Sequence, residues 1–216
     1  MPRRNGTNLG LVLSLIATVS LAGCGAEEDA PGAAVTTSPS ASSSASPSGA
    51  EDGTAVGELQ GADGTQAGTV ELQFGVGRTT LVVEASGLTP GPHGFHIHAI
   101  GACEADSPDP AAPTKTGDFL SAGGHLAKEG QVHGGHDGDL PSLMAGADGT
   151  ARMTVTTDTL LKENVLDEDG SAAMIHATAD NFRNVPERYA PDGPDETTSK
   201  TGDSGSRVAC AVLTAE

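Results

Sequence analysis

The stretch TVELQF at residues 69–74 alternates polar and apolar side chains, with Val70, Leu72 and Phe74 at the apolar positions. Because successive side chains of a β-strand point to opposite faces, this period of two predicts a strand with one face in a core. Similar short stretches rich in Val, Thr, Leu and Ile recur, and Gly, Pro, Asn and Asp separate them. This pattern predicts an all-β fold. The predicted strands are 54–60, 69–74, 79–85, 94–98, 151–157, 172–176 and 207–213.

Two predicted connections, 99–143 and 177–206, are too long for simple hairpins. Loops of that length inside a compact domain are usually functional or disordered. Both carry or border the candidate ligands described below, so we expect two functional loops.

The N-terminus has the features of an export signal. Arg3 and Arg4 precede an apolar run over 9–22, which ends in Leu-Ala-Gly-Cys at residues 21–24. The run is short for a membrane span, and small and polar residues follow it. Its ending resembles the bacterial lipobox, which implies a signal peptide over 1–23 and a lipidated Cys24 that anchors the protein to a membrane.

The chain after Cys24 is poor in apolar residues until about residue 53, and it includes the tract SPSASSSASPSG. Such a segment buries too little to offset the entropy of ordering, so 24–53 is predicted to be a flexible tether. The folded domain is predicted to occupy 54–216, which is long enough for one core.

The chain is strongly acidic, with 11 basic and 29 acidic residues and a formal charge of −18. Loss of Arg3 and Arg4 with the signal would leave a charge of about −20 on the mature chain. This charge disfavours binding to nucleic acid and to anionic lipid headgroups. An anionic substrate would therefore need a local positive charge at its site.

Six of the seven histidines fall into three short clusters. His96 and His98 are two apart on a predicted strand, so both point to one face. By itself, such a pair is also typical of surface or core histidines, and a lone His176 would be read as a structural residue. The three clusters together predict a site for copper or zinc, since imidazole suits these metals. The clusters are His96 with His98, His125 with His133 and His136, and His176, and Asp139 adds an oxygen donor to the second.

Five motifs together resemble the copper/zinc superoxide dismutase family in its bacterial exported form. They are GFHIH at 94–98, SAGGH at 121–125, HDGDLP at 136–141, MIHATADNF at 174–182 and TGDSGSRVAC at 201–210. The resemblance runs from about residue 54 to the C-terminus. It implies an eight-stranded antiparallel Greek-key barrel, an immunoglobulin-like sandwich architecture.

The resemblance also implies the roles of individual residues. His125 would bridge the two metals, and Asp180 would accept hydrogen bonds from His96 and His133. Arg207 would dock the anion beside the copper, with Lys200 as a charge at the rim, and His93 would be structural. The implied copper ligands are His96, His98, His125 and His176, and the implied zinc ligands are His125, His133, His136 and Asp139.

The zinc motif departs from the family pattern in one place. Only Gly134 and Gly135 separate His133 from His136, whereas the family usually has a longer segment there. The sequence leaves open whether both imidazoles reach one ion.

The cysteines are consistent with an oxidising compartment. With Cys24 lipidated, Cys103 and Cys210 remain as one disulfide pair. The bridge would tie the strand that carries Arg207 to the loop that follows His98.

The resemblance implies a superoxide dismutase that forms dioxygen and hydrogen peroxide by Cu(II)/Cu(I) cycling at the cell surface. The alternative is a non-catalytic copper-binding lipoprotein that buffers or delivers metal. That alternative needs the histidines but neither Arg207 nor Asp180. The resemblance allows a homodimer without predicting one.

Overall fold

A hairpin of two long strands shows how the alternating sequence becomes structure. In this computed structural model, which describes residues 53–216, β2 (Gln66–Gly75) pairs from Gly68 onward with the full length of β3 (Arg78–Ala85). The apolar positions Val70, Leu72 and Phe74 are buried. The period of two therefore places them in the core, as predicted.

Five more strands join β2 and β3. They are β1 (Gly53–Gln60), β5 (Phe95–His98), β9 (Ala151–Thr157), β10 (Ser171–His176) and β11 (Arg207–Ala215). The seven strands form one continuous antiparallel sheet in the order β5–β10–β11–β1–β2–β3–β9. All seven predicted strands are confirmed, with small shifts at their ends.

Two short strands complete the barrel. β4 (Gly91–His93) precedes β5 with only Gly94 between them, and it pairs with β8 (Leu143–Ala145). β8 then runs into β9 through a tight turn at 146–150, closed by a 2.8 Å hydrogen bond from Gly146 N–H to the Thr150 carbonyl. Counting β4 and β5 as one strand, the barrel has eight antiparallel strands.

The connections have Greek-key character. β3 and β4 follow each other in the chain but are not neighbours in the sheet, and the same is true of β9 and β10. Such connections distinguish a Greek key from a simple meander. The predicted eight-stranded Greek-key barrel is confirmed.

The barrel interior is filled by aliphatic and aromatic side chains from facing strands. Burying each of the large ones contributes about 1.5–3 kcal/mol relative to exposure. The largest fully buried apolar side chains of this core are Leu59, Leu72, Phe74, Leu81, Phe95, Ile97, Leu143, Leu160 and Ile175.

The first long connection contains a hairpin that hydrophobic alternation does not predict. β6 (Ser107–Asp109) pairs with β7 (Ala112–Gly117), and a 3₁₀ turn follows at Leu120–Ala122. Most of β7 is exposed, so its sequence carries no apolar face to signal a strand.

The remaining connections carry single helical turns. α1 (Lys162–Val165) lies between β9 and β10, and α2 (Thr198–Thr201) lies between β10 and β11. Within residues 53–216, neither helix is long and apolar enough to cross a membrane.

Candidate metal centre

Strand β5 presents two histidines on one of its faces. His96 and His98 are fully buried, and Ile97 between them packs in the main core. Strand alternation therefore separates an imidazole face from an apolar face. His176 ends the neighbouring strand β10, and the register between β10 and β11 shifts between Ile175 and His176. The ring centroids of His96 and His176 are 4.8 Å apart.

The loop before β8 adds His125 to these three residues. His125 forms an isolated β-bridge with His98, and their ring centroids are 4.9 Å apart. Its ring stacks on His96 at 4.0 Å. One ligand nitrogen from each of four residues lies within 4.8 Å of the others. This first group consists of His96, His98, His125 and His176.

Three of these imidazoles have one ring nitrogen fixed and the other without a partner. His96 Nδ1, His98 Nε2 and His176 Nε2 are buried and make no hydrogen bond. Buried polar atoms are normally paired, so unpaired lone pairs that converge indicate a site suited to a cation. The other ring nitrogen of each residue donates a hydrogen bond. His96 Nε2 donates to the Asp180 carboxylate at 2.8 Å, His98 Nδ1 to the Gly123 carbonyl at 2.9 Å, and His176 Nδ1 to the Gly205 carbonyl at 3.2 Å.

The electrostatic surroundings keep the first group neutral. Burial lowers the pKa of His98 and His176 well below the ordinary imidazole value, and the neighbouring imidazoles and Arg207 lower it further. Burial also lowers the pKa of His125 to about 3, although its hydrogen bond to Asp139 opposes this shift. Neutral imidazoles are the form that coordinates a metal.

A second group gathers around one carboxylate oxygen. Asp139 Oδ1 lies 2.8 Å from His125 Nδ1, 3.2 Å from His133 Nδ1 and 3.3 Å from His136 Nδ1. The Nδ1 atoms of His125 and His136 are 3.4 Å apart. Tetrahedral zinc with bonds of about 2.0–2.1 Å would place its ligand atoms about 3.3–3.4 Å apart. The distances from Asp139 to His133 and His136, and from His125 to His136, are close to this spacing. The donors that all lie within 4.8 Å of one another are His96, His125, His133 and Asp139, so His136 approaches Asp139 and His125 without belonging to this tightest group.

The second oxygen of Asp139 holds the short loop in shape. Asp139 Oδ2 accepts hydrogen bonds from the backbone N–H of Gly134 at 2.7 Å and of His136 at 3.0 Å. Gly134 has a φ of +83°, which a glycine adopts without strain. The two-glycine turn thus folds back onto the carboxylate and brings His133 and His136 to the same side.

The charges around His133 favour a cation. Burial alone would lower the pKa of His133, but the carboxylates of Asp139 and Asp180 outweigh it and raise the pKa to about 9. Burial raises the pKa of Asp139, but its contacts with His125 and His133 more than reverse this and hold it well below the usual range. A potential that stabilises an imidazolium also stabilises a bound metal ion.

Asp180 connects the two groups. Its carboxylate lies 2.8 Å from His96 Nε2 and 2.7 Å from His133 Nε2, so it accepts a hydrogen bond from one residue of each group. Gly202, at the end of α2, packs directly against this contact. A Cβ on Gly202 would lie 1.9 Å from Asp180 Oδ1 and 2.2 Å from His133 Nε2. Any side chain at this position would displace the carboxylate of Asp180 or the imidazole of His133.

Arg207 is anchored beside the first group. Its guanidinium donates hydrogen bonds to the carbonyls of Phe119 and Gly123, and Nη2 lies 2.5 Å from the latter. The Gly123 carbonyl also accepts from His98, so one backbone group positions the arginine and an imidazole together. Partial burial lowers the pKa of Arg207 to about 10, which leaves it charged at neutral pH.

Lys200 is less suited to attract an anion. Its Nζ lies 2.6 Å from Glu196 Oε1 in an exposed i,i+4 pair on α2. The carboxylate offsets most of its field, so Arg207 is the better candidate for the positive charge.

The disulfide between Cys103 and Cys210 is present, with a Cα–Cα distance of 5.7 Å. This confirms the predicted pairing. The bridge packs with Phe119, Ala122 and Met174 in a small apolar cluster. It therefore ties β11 to the segment whose carbonyl groups hold Arg207.

The other sequence-predicted residues have clear places. His93 lies outside both groups, with Nδ1 2.7 Å from the His176 carbonyl and Nε2 2.7 Å from the Thr89 carbonyl. Cys24 lies outside the described residues.

Two residues of the site were not anticipated. Gly202 could be expected to end a helix, because glycines in the left-handed region commonly do so. That expectation does not predict its contact with Asp180. The role of the Gly123 carbonyl could not be recognised from the sequence, because every residue has a backbone acceptor.

Comparison with known proteins is consistent with this geometry. Residues 66–213 match the family described as copper/zinc superoxide dismutase (SODC). A protein named "Superoxide dismutase [Cu-Zn]" from Mycolicibacterium paratuberculosis is 46% identical over 165 residues, which cover 72% of this chain and 71% of the relative. A protein of the same name from Mycobacterium tuberculosis is 45% identical over 165 residues, covering 72% of this chain and 68% of the relative.

Solved structures agree with the sequence comparison. A SOD-like protein from Bacillus subtilis has a TM-score of 0.54 and 30% identity, and the match covers 74% of this chain and 97% of that one. A double mutant of a SOD-like protein from the same organism has a TM-score of 0.55 and 31% identity, covering 73% and 95% of the two chains. The chain belongs to the copper/zinc superoxide dismutase family.

Proposed function

We propose that this protein is a superoxide dismutase, which converts superoxide to dioxygen and hydrogen peroxide. The observation that carries the proposal is the buried histidine group, in which three ring nitrogens lack a partner, next to the anchored guanidinium of Arg207. Family membership supports the same activity.

The donor atoms fit the two metals of the family. Bound copper supplies the one-electron exchange that the reaction needs, and imidazole nitrogens suit it. Three nitrogens and one oxygen form a set that zinc accepts. We assign copper to His96, His98, His125 and His176. We assign zinc to His125, His133, His136 and Asp139, whose contacts converge on one carboxylate oxygen.

His125 is proposed to serve both sites and to carry a proton. Its Nδ1 faces Asp139 and His136, which leaves Nε2 for the first group. One superoxide gives up an electron and leaves as dioxygen, and a second takes up an electron and two protons to become hydrogen peroxide. His125 Nε2 is the atom placed to deliver one of those protons, while Nδ1 stays engaged on the Asp139 side.

Arg207 would dock superoxide next to the histidines. A chain with a formal charge of −18 repels an anion at long range, so a fixed local positive charge is needed at the site. The guanidinium uses two hydrogen bonds to backbone carbonyls to hold its place, and its charge is not neutralised by either of them.

The alternative is a non-catalytic copper-binding lipoprotein for metal buffering or delivery. Metal storage requires the histidines but gives no reason to anchor a guanidinium beside them. We therefore favour the enzyme.

The decisive experiment is dismutation by the purified full-length protein loaded with copper and zinc, measured by the decay of superoxide absorbance. We expect fast decay that depends on copper, and no activity from protein loaded with zinc alone. Stoichiometric copper without faster decay than free buffer would favour the buffering function.

We also propose that the protein is exported and lipid-anchored on the extracytoplasmic face of a bacterial membrane. The N-terminal pattern supports a signal peptide over 1–23, lipid on Cys24 and a tether over 24–53 before the domain at 54–216. The buried Cys103–Cys210 disulfide is consistent with an oxidising compartment. Cells fed a labelled fatty acid should label the wild type but not Cys24→Ser. Equal labelling would contradict the anchor.

A homodimer is compatible with the family resemblance, which does not predict one. Sedimentation of the delipidated protein would test it, and a single species with the mass of one chain at all concentrations would refute it.

A further inference from the structure

Asp137 is a buried carboxylate that neither candidate metal group uses. It lies in sequence between His136 and Asp139, and its side chain is 5% exposed. Burying a carboxylate is costly unless charged or hydrogen-bonding partners compensate. The partners of Asp137 therefore indicate what it does in this fold.

Two side chains from the preceding part of the loop converge on this carboxylate. Lys128 Nζ lies 2.7 Å from Asp137 Oδ2, and Gln131 Nε2 donates to Oδ1 at 2.8 Å. The same two residues close a turn on each other. Gln131 Oε1 accepts from the Lys128 N–H at 2.7 Å, and the Gln131 N–H donates to the Lys128 carbonyl at 3.1 Å.

A second set of contacts ties Asp137 to the connection between β9 and β10. Thr159 Oγ1 donates to the Asp137 carbonyl at 2.8 Å. Asn164, in α1, donates to the Thr159 carbonyl at 2.8 Å and approaches Asp137 Oδ2 at 3.5 Å. Asp137 is thus attached both to its own loop and to a neighbouring element of the barrel.

These contacts act on the part of the loop that most needs restraint. The turn at 128–131 lies between His125 and His133, while Asp137 follows His136. The contacts of Asp137 with Lys128 and Gln131, here called the clamp, therefore join the two sides of the two-glycine turn. Glycine loses more conformational entropy on ordering than any other residue. Asp139 and Asp180 already restrain this segment, and the contacts of Asp137 add a restraint from outside the turn that helps to keep His133 and His136 together when no metal is bound.

We infer that Asp137 is a positioning residue for zinc, which acts through Lys128 and Gln131 to preorganise His133 and His136 around one cation. The inference rests on the proposed zinc site. Preorganisation strengthens binding because the ordering entropy is lost during folding and not when the metal binds.

The test is the zinc affinity of the metal-free full-length protein, measured by competition with a chromophoric chelator. Asp137→Asn and Lys128→Met should each weaken zinc binding by about 10–100-fold, the usual effect of removing a partner outside the ligand set. The double variant should be little weaker than either single variant, since both remove the same contact. Asp158→Asn, which removes one exposed negative charge after β9, is the matched control and should bind as the wild type does.

A second readout distinguishes positioning from general destabilisation. Cobalt(II) in place of zinc reports ligand geometry through its visible absorption. We expect the bands to be weaker or shifted in the two variants but unchanged in Asp158→Asn. Lys128 is 73% exposed, so Lys128→Met should retain the fold. If Asp137→Asn does not fold, the zinc affinity and cobalt spectrum of Lys128→Met test the positioning role.

The outcomes separate the clamp from the zinc site itself. If the wild type binds zinc and Lys128→Met binds it within about twofold with the same cobalt spectrum, the clamp is refuted and the zinc site stands. If the wild type binds no zinc, the proposed zinc site fails and the inference falls with it.

Discussion

Replacing Arg207 by alanine removes the positive charge that is held beside the histidine group, without removing any candidate metal ligand. The guanidinium shares the Gly123 carbonyl with His98, and its charge lowers the pKa of both His98 and His176. A superoxide that reaches the histidines must therefore pass close to Arg207. We expect Arg207→Ala to keep its copper and to lose rate.

The size of the loss follows from Coulomb's law. An anion about 4 Å from a unit positive charge gains about 1 kcal/mol in water and about 4 kcal/mol at an effective dielectric constant of about 20. Arg207 is partly buried, so we take a value between these, about 2 kcal/mol. Since about 1.36 kcal/mol is a tenfold change, the rate constant should fall about 30-fold. Arg207→Glu should lower it further, because the new charge repels the anion.

The assay is superoxide decay at equal copper content and several salt concentrations. Salt screens the field of Arg207, so the wild-type rate should fall with ionic strength more steeply than the rate of Arg207→Ala, and the trend should be weaker or reversed in Arg207→Glu. Arg152→Ala is the matched control, because Arg152 is an exposed arginine that pairs with Glu84 at 2.7 Å on the barrel wall. Rates within twofold for wild type and Arg207→Ala at every salt concentration would refute the docking role and favour the copper-buffering function.

Three further predictions follow from other contacts. His176→Ala should lose stoichiometric copper, measured by metal analysis, and retention with full activity would contradict the copper assignment. Gly202→Ala should lower both zinc content and thermal stability, because its Cβ would clash with Asp180 and His133; wild-type values for both would contradict the close packing. Although burial opposes it, hydrogen bonds from the two histidines hold the pKa of Asp180 below its ordinary 3.8, so its stabilisation is present above that value and lost as the pH falls. Urea unfolding of the metal-free protein should show a smaller acid-induced loss in Asp180→Asn, and equal losses would argue against this linkage.

Strand β2 was predictable because one of its faces is buried and the other is not. Strands β5 and β10 are buried on both faces and were predicted from their apolar residues and flanking turns instead. Residues 69–74 alternate because Val70, Leu72 and Phe74 face the core while the intervening polar side chains face outward. The hairpin β6–β7 and the short strands β4 and β8 were not predictable in this way. β7 is mostly exposed, and β4 and β8 have three residues each, so none offers a periodic apolar pattern.

The closure of the barrel was implied by family resemblance and not by the pattern of strands. Alternation specifies which side of a strand is buried but carries no information on which strand lies next to it. The order β5–β10–β11–β1–β2–β3–β9 depends on contacts between residues far apart in the chain, such as Met174 opposite His96.

The sequence by itself determined the all-β class and the candidate donors, because strand periodicity and the clustering of histidines are local properties of the chain. Only the tertiary structure decided how those donors are arranged. It brings His136 to Asp139 across a two-glycine turn, places Asp180 between His96 and His133, and anchors Arg207 on two backbone carbonyls. These arrangements depend on backbone acceptors, hydrogen-bond geometry and burial, which exist only once distant segments of the chain have packed together.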